Sequence, residues 1–246
     1  FLGSPYLLSG LFYGMGMVIG GPNALKNFQE KTGVSNAFLF FLIGSAMFMV
    51  CSMVMDDVAN SIRREQLRGT FELHYLTPAN KAVLWGSVII PHGLTSSLLL
   101  IASLAPALIY EFKSLSPLAV IYSILVLFLG LLPLFGIGLI LAALVIRYKE
   151  PWPILNVIRA VISNLSGFLY PVTIFPAWLQ LVAQFLPTTL VLEVFKSIFL
   201  YERELLATFP QLTLLFLLCI FYPPLGYLLY KRWEDEARRK GELSKY

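Results

Sequence analysis

Charged residues are scarce in this chain. Only 13% of its 246 residues are charged, whereas 58% are hydrophobic, and the mean hydropathy is +0.76. Soluble domains carry roughly twice that share of charge, about 25%. The composition therefore excludes an ordinary soluble domain and indicates a polytopic membrane protein.

Residues that hold metals, disulfides or phosphates are also few. Cys51 and Cys219 lie in apolar runs without metal-ligand spacing or a disulfide framework. His74 and His92 stand apart with no ligand partner at metal spacing, which favours structural roles. No phosphate-binding loop and no catalytic triad or dyad is visible, so we predict no catalytic, cofactor-binding or metal-binding residue. The net charge of +4 does not indicate nucleic-acid binding, because basic residues of membrane proteins accumulate in cytoplasmic loops.

What the chain does have is long apolar runs, each near the 20 residues that a bilayer requires. They predict an all-α membrane protein with six transmembrane helices, within a single domain over residues 1–246. The predicted spans are residues 2–19, 37–55, 84–110, 118–146, 154–170 and 207–230. The helix that contains the third span is expected to start earlier, at Thr77-Pro78. Threonine suits an N-cap, and proline suits the first helical turn.

The apolar segment 171–206 is interrupted by prolines and does not fit one straight span. Pro171, Pro176 and Pro187 divide a stretch that is too apolar for an exposed loop. Two short helices that dip into the bilayer and return to the same side account for both properties.

Six spans place both termini on one side, and the basic residues indicate which side this is. Twelve lysines and arginines lie in segment 56–81, the turn at 147–149 and the tail 231–246, against five in the loops on the other side. By the positive-inside rule, the first group is cytoplasmic and segment 171–206 lies outside. We therefore expect a cell membrane protein, plasma or inner, with both termini in the cytoplasm.

Segment 56–81 is the longest hydrophilic run, and its residues resemble a known family. The run IRREQLRGTFELHYLTP fits the pattern E-x-x-x-G-T-x-E-x-x-x-x-T-P of the permease subunits of ABC-2 type exporters. A second run, 167–193, resembles the same family's proline pattern, although this chain has Lys196 where many relatives have arginine. The matching residues are Glu65, Gly69, Thr70, Glu72, Thr77 and Pro78 in the first run, and Gly167, Pro171, Pro176, Pro187 and Glu193 in the second.

This resemblance implies a cytoplasmic coupling helix between spans two and three and two re-entrant outer helices between spans five and six. The candidate ATPase-coupling residues are Arg63, Arg64, Glu65, Arg68, Gly69, Thr70, Phe71 and Glu72. Among them, Gly69 would break the helix and Thr70 would cap a second short one. The family's amphipathic helix before span one has no counterpart here and would precede Phe1.

The resemblance also implies partners. An ABC ATPase subunit, in two copies, would bind ATP and Mg, and this chain would pair with a copy of itself or a homologous permease among membrane lipids. The implied function is outward export of an amphipathic cargo such as a drug, a lipid or a lipid-linked glycan. The alternative is an ATP-independent channel or secondary transporter.

A possible cargo pathway is marked by polar residues on the faces of spans one and five. Such groups at membrane depth usually face a bundle interior or a wet cavity. Two interpretations stand open, because Arg159 could instead reach the cytoplasmic boundary while the others hold helices together. The candidates are Tyr6, Ser9, Tyr13, Asn156, Arg159, Ser163, Ser166 and Tyr170.

Overall fold

The computed structural model describes residues 2–34, 36–69, 81–111, 117–148, 151–201 and 205–240. In this part of the chain all regular structure is helical, as the sequence predicts. Short 3-10 helices occur at Gly21–Asn23, Val172–Ile174 and Leu205–Thr208. The α-helices are α1 (Ser4–Gly20), α2 (Ala24–Thr32), α3 (Ala37–Arg68), α4 (Lys81–Glu111), α5 (Pro117–Arg147), α6 (Trp152–Leu165), α7 (Ala177–Gln184), α8 (Pro187–Phe199) and α9 (Phe209–Arg239).

Four of these helices are long and apolar enough to cross a membrane. The qualifying segments are Ala37–Glu65, Ile90–Ala107, Pro117–Arg147 and Leu206–Arg239, and the bent pair α7 and α8 raises the number to five if it counts as one span. The first and fifth predicted spans correspond to α1 and α6, which have 17 and 14 residues. At 1.5 Å per residue both are shorter than a hydrocarbon core of about 30 Å. The described helices therefore include four to five candidate spans, and the prediction of six is not confirmed.

Two helix ends differ from the predicted spans. Helix α3 continues beyond Met55 as far as Arg68, because the residues between include many good helix formers and neither glycine nor proline. Gly69 then adopts φ +69°, the left-handed conformation that ends helices. Helix α6 stops at Leu165 instead of reaching Tyr170, and Gly167 shortly after it has φ +75°.

Side-chain contacts give the direction of each helix relative to α3. Helix α1 is antiparallel to α3, since Ser4 Oγ donates to Met49 Sδ at 3.3 Å and Ser9 Oγ lies 3.0 Å from Ser45 Oγ. Helix α4 is also antiparallel to it. Along α4, His92 contacts Asp57, and Ser103 lines a small cavity with Ala46, Met49 and Val50, earlier in α3. Helices α1 and α4 thus both run opposite to α3.

Helices α5 and α9 are parallel and packed along their whole length. Near their starts, Tyr122 Oη lies 2.8 Å from Thr208 Oγ1, just before α9, and near their ends the Arg147 guanidinium lies 5.4 Å from the Trp233 ring centre. In the middle, a Cβ on Gly226 would collide with the Gly136 carbonyl oxygen. These glycines let the two backbones approach closely, as small residues do in membrane helix pairs.

Helix α3 runs in the same direction as α5. Val58 packs on Gly138, while Phe40 of α3 and Gly130 of α5 both contact helix α8. Helices α3, α5 and α9 consequently finish at one end of the bundle, which we call the charged end because their last turns contain Arg68, Arg147, Arg238 and Arg239.

The proline-rich segment forms two short helices, as its sequence predicts. Pro176 immediately precedes α7, and Pro187 is the first residue of α8, where the missing amide hydrogen costs nothing. The two helices meet at 96°. Helix α8 is buried along almost its full length, and Glu193 on it is only partly exposed.

Candidate functional site

The predicted coupling segment begins at the end of α3. Arg64, Leu67 and Arg68 are exposed on the last two turns, and Leu67 is 67% exposed. Arg63 and Glu65 are partly buried and already interact with other groups. Gly69 closes the helix with a left-handed backbone. Thr70, Phe71, Glu72, Thr77, Pro78 and His74, to which the sequence also assigns roles, lie outside the described residues.

The polar residues of α6 divide into two groups. Asn156 is exposed and Ser163 partly exposed, so these two lie on an open side of the helix. Ser166 follows the helix and is fully buried, where it bonds to the Ile162 carbonyl and to Thr188 Oγ1. Tyr170 turns back, and its hydroxyl donates to the Asn164 carbonyl at 2.7 Å. The structure does not bring all of the predicted residues to one helical face.

The candidates on α1 face α3. Ser9 is fully buried, where it bonds to the Pro5 carbonyl and to Ser45. Tyr13 stacks edge-on against Phe38, with ring centres 6.2 Å apart. The Tyr6 hydroxyl is buried and has no hydrogen-bond partner within the described part of the chain. These residues hold α1 against α3 in a single copy of the chain.

Arg159 of α6 forms an ion pair that sequence reasoning did not foresee. Its Nη1 lies 2.6 Å from Asp56 Oδ1 and 2.7 Å from Asp56 Oδ2 on α3. The Arg159 side chain is 23% exposed, and the Asp56 side chain is 33% exposed. Arg159 is therefore paired within the chain.

The neighbouring carboxylate binds a different helix. Asp57 Oδ2 lies 2.9 Å from His92 Nδ1 on α4. Consecutive residues of an α-helix point about 100° apart, so Asp56 and Asp57 face different neighbours. We call this pair the carboxylate fork.

Just after the end of α6, the chain is fixed to α3 by buried contacts. A Cβ on Gly44 would overlap the Phe168 carbonyl, and the Phe168 ring lies edge-on to Phe48 at 5.7 Å. Lys196 of α8 is only 6% exposed, and its Nζ donates to the Gly167 carbonyl at 3.0 Å. The same Nζ lies 3.5 Å from the centre of the Phe40 ring, a cation–π geometry. We call the contacts of Gly44, Phe168 and Lys196 the buried clamp.

Both unforeseen features left a weak signal in the sequence. Arg159, Asp56 and Asp57 are ionisable residues close to long apolar runs, where a charge normally has a partner. Lys196 lies within an apolar stretch and gives the same signal. Each partner is many positions away, however, and no helical periodicity connects residues 56 and 159.

The long apolar helices of the fold indicate a helical membrane protein with several spans. The sequence model of the ABC-2 family transporter protein matches residues 8–228, which is most of the chain. The chain therefore belongs to the ABC-2 transporter family, whose members are membrane permeases of ABC transporters that work with an ABC ATPase. No curated protein and no solved structure matches it.

Proposed function

We propose that this chain is the membrane-spanning permease subunit of an ABC exporter, which moves an amphipathic cargo outward. A drug, a lipid or a lipid-linked glycan fits this role. ATP and Mg would be bound by two copies of a separate ATPase subunit, and the chain itself would hydrolyse nothing. A second permease subunit, identical or homologous, would complete the transporter.

The extension of α3 is the observation that best supports this proposal. The helix continues about 20 Å from Asp56 to Arg68, with an exposed leucine between exposed arginines, and then stops at a left-handed glycine. A segment that only connected two spans would need no such projection. An amphipathic surface carried on a helix is suited to contact a protein partner.

The open side of α6 supports pairing with a second permease. Asn156, Ala160 and Asn164 are exposed in a single copy. Exposed amide groups are costly against lipid, so a water-filled pathway at the contact with another subunit would have to face them. The basic residues at the charged end favour a cytoplasmic position for it, with α7 and α8 re-entering from the outside.

Co-purification with an ABC ATPase tests the proposed function. The full chain would be expressed with the ATPase encoded beside it, purified through a tag on the permease alone, and reconstituted in vesicles. We expect both subunits in one complex and cargo movement that requires ATP. Cargo movement without ATP, in a preparation that binds no ATPase, would favour the channel or secondary transporter instead.

Charge reversal of the coupling residues tests where the ATPase binds. We expect Glu65→Arg together with Glu72→Arg to lower recovery of the complex about tenfold or more. Like charges that face each other across an interface cost several kcal/mol. Glu30→Arg on the exposed surface of α2 is the matched control and should leave recovery unchanged. Equal recovery of all three proteins would remove Glu65 and Glu72 from the contact.

A further inference from the structure

The carboxylate fork lies at the base of a helical hairpin. One leg of the hairpin is the part of α3 from Asp57 to its last residue, Arg68. The other leg is the part of α4 from its first residue, Lys81, to His92, and it has the same number of residues. Each leg is therefore about 16 Å long. The coupling candidates Arg63, Arg64, Glu65 and Arg68 lie on the first leg. The Asp57–His92 contact joins the legs at their base, at 2.9 Å, and makes them one connected unit.

Asp56, the other residue of the carboxylate fork, connects this unit to α6 through Arg159. All three nitrogens of the Arg159 guanidinium are used inside the protein. Nη1 binds Asp56, Nη2 donates to Asn156 Oδ1 at 2.8 Å, and Nε donates to the Leu155 carbonyl at 3.4 Å. The bond to Asp56 thus links α6 to α3.

Helix α6 is attached at two places in different ways. The buried clamp joins the chain just after the helix, at Phe168, to α3 through close backbone packing and a buried lysine. In the middle of α6, Arg159 is held by a partly exposed ion pair, which costs little to break. A tilt of the helix about the clamp would open this ion pair and shift Leu155, which is buried one turn earlier.

We propose that the Asp56–Arg159 ion pair is the latch through which the α3–α4 hairpin sets the position of α6, which pivots on the buried clamp. This inference rests on the proposed function, because an ATPase bound to the coupling segment would drive the hairpin. Asp56 and Arg159 are positioning residues, since neither is required to touch cargo or nucleotide.

A spin label on α6 tests the latch without knowledge of the cargo. The label would be placed at Ala160→Cys, an exposed position, in a Cys51→Ala and Cys219→Ala background. The intact permease–ATPase complex in nanodiscs would be trapped with ATP, Mg and vanadate, and the change in label mobility recorded. We expect a clear change with Asp56 present. With Asp56→Asn, we expect at least a fivefold smaller change, although the amount of trapped nucleotide is the same.

Two further variants separate a latch from a general structural role. The exchange Asp56→Arg with Arg159→Asp restores an ion pair of reversed polarity and should recover at least half of the nucleotide-induced change. Glu236→Gln removes a carboxylate from exposed ion pairs with Arg147 and Lys240, and should alter nothing. If Asp56→Asn fails to fold, the exchange variant alone decides, and it must respond to trapping.

The outcomes distinguish the latch from the proposed function. A full mobility change in Asp56→Asn, or no change in the parent complex with nucleotide trapped, overturns the latch and leaves the permease assignment intact. If no ATPase binds, the proposed function fails, and the latch has no driver. In the permease alone, Asp56→Asn should still increase label mobility, and an unchanged spectrum there would contradict the ion pair itself.

Discussion

The two attachments of α6 to α3 contrast in chemistry and in burial. At the Phe168 end, Gly44 admits a backbone carbonyl and Lys196 binds two carbonyl oxygens in a site closed to water. At Arg159, in the middle of α6, one partly exposed carboxylate binds one guanidinium. Close packing fails when a single methyl group is added, whereas an ion pair can open and close. The attachment at Phe168 is therefore the more rigid of the two.

The largest effect is expected at Gly44. Gly44→Ala places a methyl group against the Phe168 carbonyl, so α3 and the chain after α6 must separate. Overpacking of this kind costs about 1–3 kcal/mol, and here the upper end is expected because backbone cannot yield as a side chain can. Thermal unfolding in detergent, followed by loss of the monodisperse size-exclusion peak, measures it. Gly10→Ala on α1 is the control, since its methyl group would meet nothing within 4 Å. Equal stability of the two variants would refute the close contact.

A smaller effect is expected at Lys196. Lys196→Met keeps the volume but leaves the Gly167 carbonyl without its bond, at a cost of about 2 kcal/mol. The loss of the contact with Phe40 adds to this. The same thermal assay should show a lower midpoint, and the exposed Lys240→Met should show none. A midpoint above that of the parent protein would mean that lysine at this position weakens the clamp.

The smallest stability effect is expected at the fork. Asp56→Asn should reduce stability by about 1 kcal/mol at low salt, because the pair is only partly shielded from water. High salt should reduce the difference between parent and variant, whereas the Gly44→Ala and Lys196→Met differences should persist. Midpoints measured at two salt concentrations give this comparison. A salt-independent loss as large as that of Gly44→Ala would place the ion pair in the rigid part of the molecule.

Local features of the fold were predictable from the sequence. Gly69 and the prolines at 176 and 187 mark chain breaks through their own backbone preferences, so they act without any distant partner. The continuation of α3 to Arg68 was also legible, since residues 56–68 lack both glycine and proline. The predicted span ends at Met55, and the helix continues past it because a charged residue can end a span without ending a helix.

The tertiary contacts were not predictable in this way. Ser9 and Ser166 have the spacing of an open polar face, yet each is buried because a hydroxyl can donate back to a carbonyl of its own helix. Asp56 and Arg159 carry no mark that they are partners. The periodicity of a sequence predicts which face of a helix a residue lies on. Only the packed helices show which residue of a neighbouring helix it contacts.

The shared direction of α3, α5 and α9 has an electrostatic consequence. Three macrodipoles end together, and each brings about half a negative charge from its unpaired carbonyl groups. Arg68, Arg147 and Arg239 lie in those final turns and offset that charge, by about 0.3–1 kcal/mol each. Part of the basic excess that indicates membrane orientation is therefore also required by the helices themselves, and would be favoured even in a protein that met no membrane potential.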